Sequence, residues 1–131
     1  MPRVAKHLAD ALLVTLSLSG SQSLWAKSDR PDIFEITTYR LKSGTSVEEG
    51  KKLASDLNAV YKKLKGFEDR ELYFDATQGV WMERVKWKHA DAAKEGREAL
   101  SKDPAAQKLQ AVVDPAAVQR FQGERQLDFE L

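Results

Sequence analysis

The chain has no cysteine among its 131 residues, which excludes disulfides, thiol nucleophiles, thiolate metal sites and any lipid anchor carried on sulfur. Histidine is almost as scarce, at two residues. His89 alone lies beyond the first 26 positions, so a metal centre lacks convergent ligands and none is expected. Long apolar runs are missing too: the best, Leu8 to Leu18, is far short of the roughly 20 residues a membrane span needs. Charge of one sign is also lacking. Setting aside the first 26 residues removes Arg3, Lys6 and Asp10 and leaves 19 basic and 19 acidic side chains. That balance points to no nucleic acid and no acidic membrane surface.

What is present begins with a short positive head, Arg3 and Lys6, the apolar run Leu8 to Leu18, and Leu24-Trp25-Ala26 as a cleavage site. This pattern predicts a secretory signal peptide over residues 1–26 and a leader over 27–32, hence an exported protein, periplasmic or secreted, with no stable membrane anchor. An uncleaved amphipathic helix is the plainer reading of the same stretch. Residues 33–131 are enough for one domain with one core.

The domain is organised around Gly66 to His89, a β-hairpin with Ala76-Thr77-Gln78-Gly79 as its turn. Setting Asp75 opposite Val80 places Tyr73 opposite Met82, Glu71 opposite Arg84 and Asp69 opposite Lys86, two opposite-charge pairs at once. Such pairs are worth about 0.2–1 kcal/mol each, and a one-residue slip would also exchange the faces. The alternate face carries Arg70, Leu72, Phe74, Trp81, Glu83, Val85 and Trp87; it is the apolar one and the one helices would cover. Arg70 and Glu83 lie diagonally across the strands on it, an ion pair among tryptophans.

The flanking elements complete the pattern. Ile33 to Leu41 reads as a strand mixed on both faces, suited to the centre of a sheet covered on both sides. Ser46 and Glu49 form a capping box, and Leu53, Leu57, Val60, Tyr61 and Leu64 follow at helical spacing until Gly66. Ala90 to Leu100 is helical with small residues on one side. Asp103-Pro104 starts another helix, Ala105 to Val113, and Asp114-Pro115 a short turn. A last strand falls within Val118 to Phe129, with Gly123 as a bulge or break. The order β-α-β-β-α-β defines an α+β, ferredoxin-like fold, a four-stranded antiparallel sheet covered by helices on one face.

Gly66-Phe67 with Arg70-Glu71-Leu72, the stretch Trp81 to Trp87 running into Ala90 to Ala93, and Asp103-Pro104-Ala105-Ala106-Gln107 followed by Val113-Asp114-Pro115 together give a chain that resembles the antibiotic biosynthesis monooxygenase-like group of the dimeric α/β-barrel superfamily. The resemblance implies a homodimer in which two sheets form a barrel, with a ligand between sheet and helices in each subunit. It implies no cofactor, and a small aromatic or hydrophobic molecule as partner. Haem-degrading relatives need an Asn, a Trp and a helix-borne His. Here Asn58 lies inside the first helix and His89 at a strand-to-helix junction, so that role is not carried over.

Glu83, Arg70 and His89 are the catalytic candidates: Glu83 takes a proton from a phenol and Arg70 steadies the anion. Trp81, Val85, Trp87, Leu72, Phe74 and Tyr61 are the candidate pocket lining. Each has a plainer reading, since aromatics dominate cores, buried ion pairs are commonly structural and His89 can cap a helix. Tyr39 and Tyr61 could turn a hydroxyl inward or lie at the rim. Two functions follow: an exported cofactor-independent monooxygenase acting on a small aromatic substrate, or a non-catalytic dimeric module that binds a hydrophobic molecule. What separates them is whether Glu83 borders an open cavity.

Overall fold

The computed structural model describes residues 32–131, and the expected signal peptide and leader lie outside that range except for Asp32. The elements are β1 (Ile33–Tyr39), α1 (Val47–Asp56), α2 (Asn58–Tyr61), β2 (Phe67–Asp75), β3 (Val80–Trp87), α3 (Ala90–Ser101), α4 (Pro104–Val112), a 3-10 turn (Pro115–Ala117) and β4 (Gln119–Glu124). The strands form one antiparallel sheet in the order β2-β3-β1-β4. This is the α+β ferredoxin-like arrangement, with the first and third strands at its centre.

The hairpin has the register its charges demand: Asp75 faces Val80, Tyr73 faces Met82, Glu71 faces Arg84 and Asp69 faces Lys86. The turn closes with Gly79 at φ 69° and its N–H on the Asp75 carbonyl at 2.7 Å. One ion pair differs from the direct cross-strand expectation. Arg84 takes both Glu71 (2.8 Å) and Asp69 (2.9 Å), because its planar fork can serve two carboxylates, while Lys86 lies near Glu68 and Asp32. The register shifts between Phe67 and Asp69, making Glu68 an unpaired extra residue. This bulge lies in β2; Gly123, where a break was expected, stays in register opposite Phe34. Its consequence is that Phe67 and Arg70, three residues apart, share the helix-covered face.

That face is built of rows running across the sheet. Phe67, Trp87 and Ile33 form one, Arg70, Val85, Glu35 and Gln122 the next, then Leu72, Glu83, Thr37 and Arg120, and last Phe74, Trp81 and Tyr39. Val85 and Trp87 are fully enclosed, and with Ile33, Leu57, Tyr61, Ala92 and Ala93 they make the core. β1 is shorter than the sequence suggests, since Leu41 leaves the strand to make a lone bridge with Val113. Nor is β1 covered on both sides: Ile36 is 41% exposed and Phe121, beside it on β4, 56%.

The helices begin at the capping residues the sequence singles out. Ser46 Oγ accepts from the Glu49 N–H, Asp103 from Ala105 and Ala106, and Asp114 from Ala116. The expected single first helix is broken at Leu57. In an unbroken helix the Ala54 carbonyl would receive the Asn58 N–H; here it receives the Leu57 N–H at 3.2 Å and Arg70 Nη1 at 2.7 Å. A cation at the helix C-terminus favours this stop.

Candidate functional site

The third row of the sheet positions the site. Thr37 on β1 lies between Glu83 on β3 and Arg120 on β4, with Tyr39 one row along. Above them lies a cavity of about 480 Å³, within the range of small-molecule pockets. Glu83, Thr37, Tyr39 and Arg120 line its sheet side, Leu57 and Tyr61 one flank, and Leu100, Ala106, Leu109 and Val113 the helical side. Lys42 also borders it.

Glu83 is held from below. Arg70 Nε donates to Glu83 Oε2 at 2.5 Å, and Arg70 Nη1 donates to Asn58 Oδ1 at 2.8 Å and to the Ala54 carbonyl. The Arg70 side chain is 6% exposed, and its guanidinium lies 4.8 Å from the centre of the Tyr61 ring. Its Nη2 is buried with no hydrogen-bond partner among the described residues. Asn58 therefore fastens the guanidinium to the break between α1 and α2. A carboxylate so fixed is preorganised, and its charge is balanced inside the protein.

Two tyrosines complete the wall. Tyr39 stacks on Trp81 at 6.3 Å, and Tyr61 packs on Phe67 and Trp87. Burial, and then the charge of Glu83, pushes the Tyr39 phenol up to about 12; Tyr61 is raised still further for the same reasons in the same order.

Of the residues expected in the pocket, Tyr61 lines it. Trp81, Val85 and Trp87 instead fill the core beneath, and Leu72 and Phe74 are half-buried beside it. Of the catalytic candidates, Glu83 borders the cavity and Arg70 supports Glu83. His89 is the N-cap of α3: its Nδ1 accepts the Ala92 N–H at 3.3 Å, and it is not among the cavity-lining residues. Thr37 and Arg120 escape sequence reasoning because β4 has no strong pattern to set its register. Glu35 is a second omission. It is buried, accepts from Trp87 Nε1 at 2.8 Å and pairs with Arg97, which makes it a brace between sheet and α3. Glu35 sits on the same alternation as Ile33 and Tyr39, the one signal that could have found it. Among the described residues no cluster of His, Asp or Glu could hold a metal ion.

The four-stranded antiparallel ferredoxin-like sheet is a fold that solved structures share. No family model matches the chain, and no curated protein sequence matches it either. Solved structures do. A variant of SnoaB, a cofactor-independent oxygenase from Streptomyces nogalater, is similar over 75% of this chain and 96% of that chain, with a TM-score of 0.63 at 12% identity. A candidate antibiotic biosynthesis monooxygenase from Bordetella bronchiseptica is similar over 74% and 99%, with a TM-score of 0.65 at 12% identity. A conserved protein from Methanosarcina mazei is similar over 78% and 99%, with a TM-score of 0.59 at 14% identity. At such identities the likeness is one of fold.

Proposed function

We propose that the chain is a cofactor-independent monooxygenase acting on a small aromatic molecule with an acidic C–H or O–H. The observation that carries this reading is Glu83, a fixed carboxylate that borders the cavity between sheet and helices. The fold shared with SnoaB supports it. Glu83 removes a proton from a methylene flanked by aromatic rings. The carbanion adds O₂ to give a peroxide, which takes the proton back from the Glu83 carboxyl, and loss of water leaves a ketone. The substrate supplies all the electrons: CH₂ and O₂ become C=O and H₂O. Arg70 keeps Glu83 aimed and offsets its charge before the reaction; once Glu83 carries the proton, the Arg70 cation is balanced by the substrate anion formed in the same step.

The test uses 1,8-dihydroxyanthrone, whose methylene oxidises to a quinone. Purified protein is expected to consume one O₂ per quinone above the uncatalysed rate, and Glu83→Gln to lower that rate about 100-fold or more. Turnover that survives Glu83→Gln overturns the role given to Glu83, and no turnover with this probe or with an aromatic molecule that native mass spectrometry finds retained by the protein overturns the reading in favour of a non-catalytic binding module. The same proposal includes export, motivated by the pattern of residues 1–26. A mature N-terminus at or near Lys27 is expected, and an intact full-length chain in the cytoplasm would refute it.

A further inference from the structure

Buried tyrosine hydroxyls ordinarily find a hydrogen-bond partner, because an unsatisfied buried polar group costs on the order of 1–3 kcal/mol. Tyr39 and Tyr61 are each only 6% exposed, yet among the described residues neither hydroxyl is hydrogen-bonded: the polar contacts around them go to Arg70, Glu83 and Asn58 instead. Neither oxygen is sealed off, since among the described residues the one enclosed polar side-chain atom without a partner is Arg70 Nη2. Both side chains line the cavity that Glu83 borders. The aliphatic groups of Leu57, Leu100, Leu109 and Val113 supply no polar partner on the opposite wall. The two phenols are thus uncommitted donors buried in the cavity wall, with the side chains of Lys42, Arg120, Thr37 and Gln110 as further polar groups on its lining.

We infer that Tyr39 and Tyr61 form a paired donor site that holds the ligand by a negatively charged oxygen, a phenolate or an enolate. Three facts give the charge. Glu83 is paired with Arg70 at 2.5 Å, which offsets part of its charge. Lys42 and Arg120, the other ionised groups lining the cavity, are cations with no salt bridge among the described residues. Both phenols keep their protons at neutral pH, as an unperturbed phenol also does, so each offers a neutral donor. Donors in a cavity of net positive charge select an acceptor that is itself anionic. This inference rests on the cavity being the working site, as proposed above, but not on its reacting with O₂. It also assigns a division of labour: Glu83 receives the proton, and the tyrosines receive the oxygen from which charge is released into the ring.

The experiment is a pH titration of 4-nitrophenol, coloured only as its anion, with the purified full chain. The bound probe is expected to ionise about one pH unit or more below the free probe, a tenfold preference for the anion. Tyr39→Phe and Tyr61→Phe keep the rings, and folding is checked by near-UV circular dichroism. Each is expected to weaken binding of the anion about tenfold or more while leaving the neutral phenol's affinity unchanged, a split that a purely structural role would not produce. A bound probe that ionises at or above the pH of the free one, variants that weaken both forms alike, or no saturable binding overturns the inference. Turnover of 1,8-dihydroxyanthrone without anion preference would sink this inference alone; anion preference without turnover would sink the oxygenase reading alone.

Discussion

Tyr39 and Tyr61 hold their protons far more tightly than a free phenol does, because the ionised form would lie in the core beside the Glu83 carboxylate. That has a consequence for stability. Between the ordinary phenol value of 10.0 and the raised value of about 12 for Tyr39, the unfolded chain binds fewer protons than the folded one. Stability contributed by the buried neutral phenol is therefore complete below pH 10 and is lost as pH rises through that window, at up to about 1.4 kcal/mol per pH unit for each group. Urea denaturation at pH 8 and pH 11 is expected to show the loss, and Tyr39→Phe to flatten the slope. An unchanged slope in that variant would mean that Tyr39 is not the buried acid assigned here. Arg70 and Glu83 were legible as a diagonal pair from hairpin register alone. Their anchorage was not, since Asn58 and the Ala54 carbonyl come from a helix break that no local pattern announces.

At the scale of elements, each tryptophan of β3 meets a helix through a glycine. A Cβ on Gly50 of α1 would stand 3.2 Å from Trp81 Cζ2 and collide with Leu41, and one on Gly96 of α3 would fall within the Trp87 ring. Glycine in mid-helix normally costs about 0.5–1 kcal/mol relative to alanine, so these two positions give up helix propensity for close approach. Gly96→Ala is thus expected to destabilise the fold by about 1–3 kcal/mol, against its propensity, through displacement of Trp87. A variant as stable as the parent in urea would show that α3 can slide away from the sheet at no cost. The small residues Ala92, Ala93 and Gly96 were legible as a close-packing side. Which tryptophan they receive depends on where α3 lands, a tertiary matter.

At the scale of the whole domain, the described residues divide at the sheet. One face is covered; the other leaves Ile36, Tyr73, Met82 and Phe121 exposed around the Arg84–Glu71–Asp69 cluster. An apolar patch flanked by a self-contained charge cluster suits a second copy related by a two-fold axis, and we propose a homodimer through this face. The purified protein is expected to sediment as a dimer at micromolar concentration, and Ile36→Lys to yield a folded monomer. A parent protein that is monomeric under those conditions would overturn the proposal. Dimerisation buries the face away from the cavity, so the monomer is expected to retain the anion site.

Element order along the chain, hairpin register, helix starts and the faces of β2 and β3 were determined by the sequence alone, because alternation, cross-strand charge pairs and capping residues are short-range properties. The bulge at Glu68, the break at Leu57 and the rows that bring Thr37 and Arg120 beside Glu83 were decided only in the tertiary structure. They settle which groups face one another across strands and helices distant in sequence. The cavity belongs to that second class: it is the space left where the helices cannot close over the Tyr39 and Glu83 rows, and no local pattern encodes a gap.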